Sequence, residues 1–253
     1  MPFFRNIRRY SRQFVDACGD LILPRFCAVC GPCVAAGSFP HLCSTCVNDL
    51  ILIDGDRQCR VCASVLTGFG RSRSRCLGCF HKRVPWSRLV VLGSYDGLLA
   101  ELIRRLKFEG ERCLGATLGE LMAAQTQALS WDQGQVDAVV VIPLTRSRET
   151  MRGFNQAALI GFWVAEFLDV PLRESWLKRS DDGPSQVGHG ATSRRKLSAS
   201  GFVTAPNLFG KRVLLVDDVV TTQGTIRAAS IALKKGGALD VKVLCCARTK
   251  LSR

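Results

Sequence analysis

The sequence predicts an α/β domain built on a mainly parallel sheet, with a small cysteine-rich domain before it. After Trp86, short apolar runs typical of buried strands alternate with longer segments of helical periodicity. Such alternation indicates a parallel sheet with helices on both faces. Before Trp86, cysteines recur in Cys-x-x-Cys pairs and long periodic runs are scarce. With 253 residues, of which 47% are apolar, the chain can form one medium-sized core and one small one.

Charge and hydropathy restrict the expected partners and compartment. The excess of 35 basic over 21 acidic residues gives a net charge of +14, which favours nucleic acid, phosphorylated metabolites or acidic lipid surfaces as partners. No apolar run approaches the roughly 20 residues of a membrane helix, so no transmembrane segment is expected. The first residues lack the continuous apolar stretch of a secretory signal, and we therefore expect a cytoplasmic protein.

The first 22 residues predict an amphipathic helix, because apolar residues recur at steps of three and four while most arginines lie off that stripe. Docking of the stripe on the protein's own core is the simplest interpretation; binding to a membrane surface or a partner is the alternative. The predicted domains are this helix at residues 1–22, the cysteine-rich residues 23–84 and the α/β residues 85–253.

Eight of the 13 cysteines form four successive Cys-x-x-Cys pairs, which are Cys27 and Cys30, Cys43 and Cys46, Cys59 and Cys62, and Cys76 and Cys79. In a reducing compartment such pairs favour metal ligation over disulfides. Thiolates suit zinc, since four of them satisfy its tetrahedral preference. We therefore predict two structural zinc ribbons, formed by neighbouring pairs in the simplest assignment and by interleaved pairs in the alternative. A redox relay or an iron–sulfur cluster leaves the four-fold repetition unexplained.

The α/β part contains four apolar runs that predict strands and four segments that predict helices. The strands are expected at residues 88–95, 136–143, 212–218 and 241–247, and the helices at residues 98–108, 114–129, 155–168 and 225–235. The stretch from Ser180 to Ser200 is polar and has no clear period. Outside the pairs, Cys18, Cys113, Cys245 and Cys246 are expected to be buried as small apolar residues.

The most informative stretch is VLLVDDVVTTQGTI, in which a buried strand, Val213 to Val216, ends in two acids. A hydroxyl-rich loop and then a helix follow, and the loop residues are Val219, Val220, Thr221, Thr222, Gln223, Gly224 and Thr225. Backbone amides at the start of a helix bind phosphate. Asp217 and Asp218 would repel a bare phosphate, but they accept hydrogen bonds from sugar hydroxyls. A ribose 5-phosphate satisfies both halves of the site, and binding of Mg²⁺ alone by the acids is the alternative.

This stretch resembles the phosphoribosyl-pyrophosphate signature of type I phosphoribosyltransferases, which have a Rossmann-like fold. Together with the cysteine pairs, it makes the chain similar to the ComF family from roughly Pro24 to Lys250. The segments YDGLLAELIRRLKFEGE (Tyr95 to Glu111) and VIPLTRSRETMRGFNQAA (Val141 to Ala158) are also similar to segments of that family. In combination these matches are more specific than any one motif.

The resemblance implies a ligand and a role for several residues. The ligand is phosphoribosyl pyrophosphate with Mg²⁺, and Asp217 and Asp218 are the catalytic acids that hold its ribose. The loop from Thr145 to Gly153 binds pyrophosphate, with Arg148 and Arg152 as charge partners. The polar stretch Ser180 to Ser200 is similar to a mobile loop that closes over the ligand.

Two residues depart from the family's pattern. Gln223 stands between the threonines and the glycine where the common pattern reads Thr-Thr-Gly-x-Thr, and Leu197 stands where members often carry Asn. If the position of Gln223 requires a positive φ angle, a side chain there costs roughly 1–2 kcal/mol. Such strain would weaken the loop's binding of phosphate without abolishing it.

Two functions remain open at this stage. The first is a transferase of the pentosyl class that moves the phosphoribosyl group to or from a nitrogen acceptor, in the competence and DNA-utilisation context that the resemblance implies. The second is a non-catalytic zinc-ribbon factor that contacts DNA or a helicase-like protein, with ribose phosphate as a regulator. The second is favoured by the charge and by a basic cluster, formed by Arg71, Arg73, Arg75, Lys82 and Arg83.

Overall fold

In this computed structural model, the structure describes residues 26–31, 39–66, 74–180, 201–205 and 207–249. The predicted amino-terminal helix and nearly all of the polar stretch 180–200 lie outside the described residues. Contacts divide the chain into two compact units, Met1–Leu50 and Ile51–Arg253. The second pair of Cys-x-x-Cys units therefore belongs to the same compact unit as the α/β residues, whereas the bounds 1–22, 23–84 and 85–253 stay a prediction.

The smaller unit is organised around short turns in its described part. Its helix α1, Ser44–Asn48, begins after Cys43, whose Sγ accepts a hydrogen bond from the Cys46 amide at 3.5 Å. The Ala28 amide donates to the His41 carbonyl oxygen at 2.9 Å. Leu42 and Leu50 supply apolar burial.

The larger unit contains a four-stranded parallel sheet. Its strands, with a separate hairpin, are β1 (Arg88–Ser94), β2 (Ala138–Val141), β3 (Leu177–Arg179), β4 (Phe202–Thr204), β5 (Arg212–Val220) and β6 (Asp240–Arg248). The sheet order is β1-β6-β5-β2, all pairs are parallel, and β3 pairs antiparallel with β4. The helices are α2 (Gly97–Arg104), α3 (Leu114–Ala128), α4 (Arg146–Arg152), α5 (Gln156–Leu168) and α6 (Gly224–Lys235). A π-helical turn, Arg105–Glu109, follows α2, and single 3₁₀ turns occur at Gly55–Arg57, Leu77–Cys79 and Glu174–Trp176.

Helices cover both faces of the sheet, which explains why successive residues of its strands are buried without alternation. On one face, Val213 and Leu215 of β5 belong to a core cluster that also contains Ile226 and Leu233 of α6 and residues of the β3–β4 hairpin. On the other face, Cys246 of β6 points to Met122 of α3, with their sulfurs 3.2 Å apart. The core therefore lies on both sides of the sheet, and the ends of its strands are free to carry polar residues.

The predicted α/β fold class is confirmed, and each predicted strand and helix of the α/β part is present with shifted ends. The largest shift is at β2, which covers Ala138–Val141 only. The prediction missed α4 and treated its residues as a loop. The sequence RSRETMR has no apolar stripe, and none of its residues is buried, so periodicity could not reveal this helix.

Burial of the unpaired cysteines was predicted correctly in two cases. Cys245 and Cys246 are fully buried, whereas Cys113 is exposed, so the prediction is wrong for Cys113. Cys18 lies outside the described residues. Within the described ranges, none of the helices combines the length and apolar composition that crossing a membrane requires.

Candidate functional site

The carboxyl ends of the parallel strands form the edge of the sheet at which α/β proteins bind ligands. β5 delivers Asp217 and Asp218 to this edge, and the loop to α6 follows directly. β2 ends beside it and leads through Pro143 into α4. The two predicted catalytic acids and the predicted phosphate loop are therefore together at one edge.

Asp218 is fully engaged by neighbouring groups. Its side chain is buried, and its Oδ2 lies 3.0 Å from Lys107 Nζ, which makes an ion pair. Gln156 Nε2 donates to the same oxygen at 2.5 Å, and the Val219 amide donates to Oδ1 at 2.5 Å. A buried carboxylate requires such partners because an unpaired charge is costly away from water. Asp218 is thus held as the centre of a network.

Asp217 is the more exposed acid of the pair and is half-buried. Burial, together with the adjacent Asp218 carboxylate, raises the pKa of Asp217 to about 8. The positive charges of Lys107 and Arg179 act in the opposite direction. The raised pKa favours the protonated form of Asp217 in the ligand-free protein, and a protonated carboxyl group can both donate and accept hydrogen bonds.

The phosphate loop presents its polar groups to solvent. Thr221, Thr222 and Thr225 are exposed, and Gln223 is half-buried at the start of α6. Gln223 makes no side-chain capping bond to the helix, so no side chain of the cap residue competes for its first amides. These amides and the positive end of the helix dipole can receive an anion.

Gln223 has a positive φ angle of 63°. The condition for strain at this departure from the common pattern is therefore met, and the side chain costs roughly 1–2 kcal/mol relative to glycine. The side-chain amide of Gln223 also makes a hydrogen bond, in which Nε2 donates to the Val61 carbonyl oxygen at 3.0 Å. Leu197, the other departure, lies outside the described residues.

The residues predicted to bind pyrophosphate lie on or beside α4. Arg148 is exposed on the helix, and Gly153 ends it in the left-handed conformation with φ 73°. Arg152 Nη1 donates to Gln156 Oε1 at 2.9 Å, and its guanidinium carbon lies 5.1 Å from the centroid of the Phe108 ring. Arg152 is therefore linked through Gln156 to Asp218, whereas Arg148 faces solvent.

The sequence interpretation assigned no role to Lys107, Gln156 or Arg179. Lys107 lies four residues after buried Ile103 on the apolar stripe of its segment, and a charge on such a stripe is a signal for a buried counter-charge. Arg179 Nε donates to the Pro143 carbonyl oxygen at 3.0 Å. Gln156 lies in the segment that resembles the ComF family, but no local pattern identified a partner for it or for Arg179, because each acts on residues distant in sequence.

The eight paired cysteines form two groups of four, and their sulfurs lie within 4.8 Å of one another in each group. The groups are the neighbouring pairs Cys27/Cys30/Cys43/Cys46 and Cys59/Cys62/Cys76/Cys79. Sulfur separations of 3.6 Å in the first group and 3.7 Å in the second approach the roughly 3.8 Å expected for a tetrahedron with metal–sulfur bonds of about 2.3 Å. Both groups could hold a metal ion. The structure thus favours neighbouring pairs over interleaved ones.

The ion pair between Lys107 and Asp218 gives a stability prediction. Lys107→Met should lower the free energy of unfolding by about 3 kcal/mol, because the side chains are 14% and 7% exposed and removal leaves a buried carboxylate unpaired. Arg104→Met is the matched control, since its pair with Glu109 is 54% and 41% exposed and should contribute less than about 1 kcal/mol. Denaturant unfolding measures the free energy of unfolding of both variants. Equal losses of stability would contradict the role of Lys107 as the counter-charge of buried Asp218.

The raised pKa of Asp217 predicts a pH dependence. From the ordinary pKa of 3.8 up to about 8, the folded protein keeps a proton that the unfolded chain releases, so stability falls as pH rises. Asp217→Asn removes this titration, and its melting temperature relative to wild type should rise from about pH 5 to about pH 8 and then level off. Arg212 lowers the pKa of Asp137 to about 2, so Asp137→Asn should show a constant difference across the same range. If the difference in melting temperature from wild type were constant with pH for both variants, the raised pKa of Asp217 would be refuted.

Comparison with known proteins finds a matching domain model and several similar chains. A model described as "Phosphoribosyl transferase domain" matches residues 154–252. Competence protein F of Haemophilus influenzae is 31% identical over 207 residues, which are 80% of this chain and 88% of that protein. DNA utilization protein YhgH of Escherichia coli K12 is 28% identical over 90% of this chain and 99% of that protein. Competence protein ComFC of Bacillus subtilis is 31% identical over 58% of this chain and 59% of that protein.

The extent of these matches decides the family. The similarity to competence protein F spans most of both chains, and the phosphoribosyltransferase-type model falls on β5, the acid pair and the phosphate loop. The two groups of cysteines stand before the α/β residues, as the sequence resemblance implied. The chain therefore belongs to the ComF family and carries a phosphoribosyltransferase-type domain after its cysteine groups.

Proposed function

We propose that the larger unit binds phosphoribosyl pyrophosphate with Mg²⁺ and transfers the phosphoribosyl group to or from a nitrogen acceptor. The observation that carries this proposal is the position of Asp217 and Asp218 directly before an exposed loop with an uncapped helix start. The loop amides suit the 5-phosphate, and the half-buried Asp217 carboxyl group suits the ribose hydroxyls.

Each part of the edge has a task in this reaction. Asp217 is the acid available to the ribose, while Asp218 is positioned by Lys107 and Gln156. Arg152, one of the residues predicted to bind pyrophosphate, brings a positive charge to the end of α4, where it donates a hydrogen bond to Gln156. Carboxylate oxygens are ligands that Mg²⁺ accepts, and Mg²⁺ bound with the substrate supplies charge to the leaving pyrophosphate.

The transfer itself balances without a further reactant. The bond between ribose C1 and the pyrophosphate oxygen breaks, and its electron pair leaves with pyrophosphate. The lone pair of the acceptor nitrogen forms the new bond to C1, and the nitrogen then loses a proton. Catalysis comes from orientation and from electrostatic stabilisation of the leaving group.

The two cysteine groups complete the proposal as structural zinc sites. All ligands of each site are thiolates of the chain, and the sulfur separations suit tetrahedral zinc. His41 lies between the two cysteine pairs of the first group in the sequence, but among the described residues the four potential ligands of that group are all cysteines. Closed sites of this type stabilise the fold and leave no open position for a substrate.

Calorimetry tests substrate binding. Wild type should bind phosphoribosyl pyrophosphate with Mg²⁺, whereas Thr222→Glu should weaken binding at least about tenfold, because it places a negative charge in the phosphate loop. Thr222 is exposed, so this variant should fold. Gln127→Glu adds the same charge at an exposed position of α3 and should bind as wild type does. Absence of wild-type binding, or equal affinity in both variants, would defeat the proposal.

A non-catalytic role on DNA is the second candidate, and a surface beside the second cysteine group favours it. Leu77 and Phe80 are 85% and 62% exposed there, and Lys82 and Arg83 are exposed next to them. Arg75, which the sequence placed in the same basic cluster, instead donates to the carbonyl oxygens of Phe80 and Lys82. Arg71 and Arg73 lie outside the described residues. The names of two relatives, which refer to competence and DNA utilization, agree with this role.

Salt dependence distinguishes this second role. Replacing Lys82 and Arg83 with alanine should weaken binding to single-stranded DNA. The negative slope of log affinity against log salt should become shallower by about 1.4, as expected for two lost phosphate contacts. Replacing Lys234 and Lys235, exposed at the end of α6, removes the same charge elsewhere. Identical slopes for both double variants would exclude the proposed DNA surface.

A further inference from the structure

The second cysteine group is joined to the phosphate loop by a direct hydrogen bond within the larger unit. Val61 lies between Cys59 and Cys62, inside a turn whose two cysteines belong to that group. Its carbonyl oxygen accepts a hydrogen bond from Gln223 Nε2 at 3.0 Å. Gln223 is the loop residue that precedes α6 and holds the positive φ angle of 63°. The cysteine turn therefore contacts the loop at its most constrained residue.

A second link runs through Arg248 at the end of β6. This arginine is buried, and its Nη1 donates to the Cys62 carbonyl oxygen and, at 2.6 Å, to Ser64 Oγ. Ser64 Oγ in turn lies 3.2 Å from Cys62 Sγ. On its other side, Arg248 is in register with Val220, the last strand residue before the exposed part of the loop. Arg248 thus connects a cysteine ligand to the base of the loop.

A third link is apolar. Ala63, which follows Cys62, is fully buried in the same core cluster as Val220 and Ile226, at the two ends of the loop. Ala63 also has a positive φ angle of 56°, a strained conformation that persists only when its surroundings hold it. A metal ion bound by Cys59 and Cys62 would fix this turn.

Electrostatics point in the same direction. Arg248 is buried, yet it forms no ion pair with any residue that the structure describes. A divalent metal bound by four thiolates carries a net charge of about −2, which would supply a counter-charge beside the Cys62 carbonyl group. Loading of the group is therefore expected to hold Arg248, and with it the turn, in place.

We propose that the metal-loaded second cysteine group sets the conformation of the phosphate loop, with Gln223 and Arg248 as positioning residues, so that affinity for ribose 5-phosphate rises with metal occupancy of that group. This inference rests on the proposed function, because it concerns the same phosphate site. The proposal predicts that metal binding by the second group, and not by the first, changes the phosphate loop, since the first group belongs to the smaller unit.

Matched ligand variants of the full-length protein test the coupling. Cys76→Ser and Cys30→Ser each remove one ligand, from the second and the first group, and metal analysis should show a loss of about one metal ion per chain for each. Cys76→Ser should weaken binding of ribose 5-phosphate about tenfold in calorimetry, whereas Cys30→Ser should leave it unchanged. Equal affinities in the two variants would overturn the coupling.

Gln223→Met tests the link without touching a ligand. The variant keeps the side chain's length and the metal but loses the donor to Val61, so ribose 5-phosphate should bind about two- to tenfold more weakly. When combined with Cys76→Ser, it should add less than its own single effect, since both variants break the same connection. Fully additive effects would show that Gln223 does not carry the coupling. If Cys76→Ser does not fold, Arg248→Met replaces it in this cycle.

Hydrogen exchange of the ligand-free protein separates this inference from the proposed function. Amides 219–226 should exchange faster in Cys76→Ser and Gln223→Met than in wild type, and at the wild-type rate in Cys30→Ser. If wild type binds no ribose 5-phosphate but this exchange pattern appears, the proposed function fails and the coupling stands. Unchanged exchange in Cys76→Ser with its metal lost would overturn the coupling, whether or not the ligand binds.

Discussion

The parallel pairing of β5 with β6 is the constraint on which the rest of the larger unit depends. Its register runs from Arg212 with Asp240 to Val220 with Arg248 and brings the ends of both strands to one edge. β5 contributes the acid pair and the start of the phosphate loop, while β6 contributes the arginine that reaches the second cysteine group. Because most residues inside these strands are apolar, the acid pair and the loop that follows it lie at the carboxyl ends of the strands.

Charge at this edge is balanced unequally between two neighbouring acids. Asp218 is buried with a lysine and a glutamine, while burial and the Asp218 charge raise the pKa of Asp217. The two adjacent acids therefore differ in burial and in hydrogen-bonding partners, which indicates different roles for them. In the proposed function, Asp218 organises the site and Asp217 meets the ribose.

The cysteine groups contribute to the two compact units in different ways. Within the described residues of the smaller unit, the buried apolar side chains besides the cysteines include Leu42 and Leu50, and a metal in the first group would add to the stability of this part. The second is built into the α/β unit, where its turn packs against core residues that also bound the phosphate loop. The two groups share a ligand pattern in the sequence but differ in what surrounds them.

The sequence by itself determined the fold class, the four Cys-x-x-Cys pairs and the strand–acid–loop–helix order of the predicted phosphate loop, because each depends on residues close together in the chain. The structure decided that neighbouring pairs form each group of four. The departure at Gln223 was also visible in the sequence, which made strain conditional on a positive φ angle, and the structure meets that condition. Only the tertiary structure decided that Lys107 and Gln156 hold Asp218, that RSRETMR is a helix, and that Gln223 contacts Val61, which is 162 residues away. Such contacts arise when the sheet aligns distant segments, and no local periodicity or motif records which partner each side chain meets.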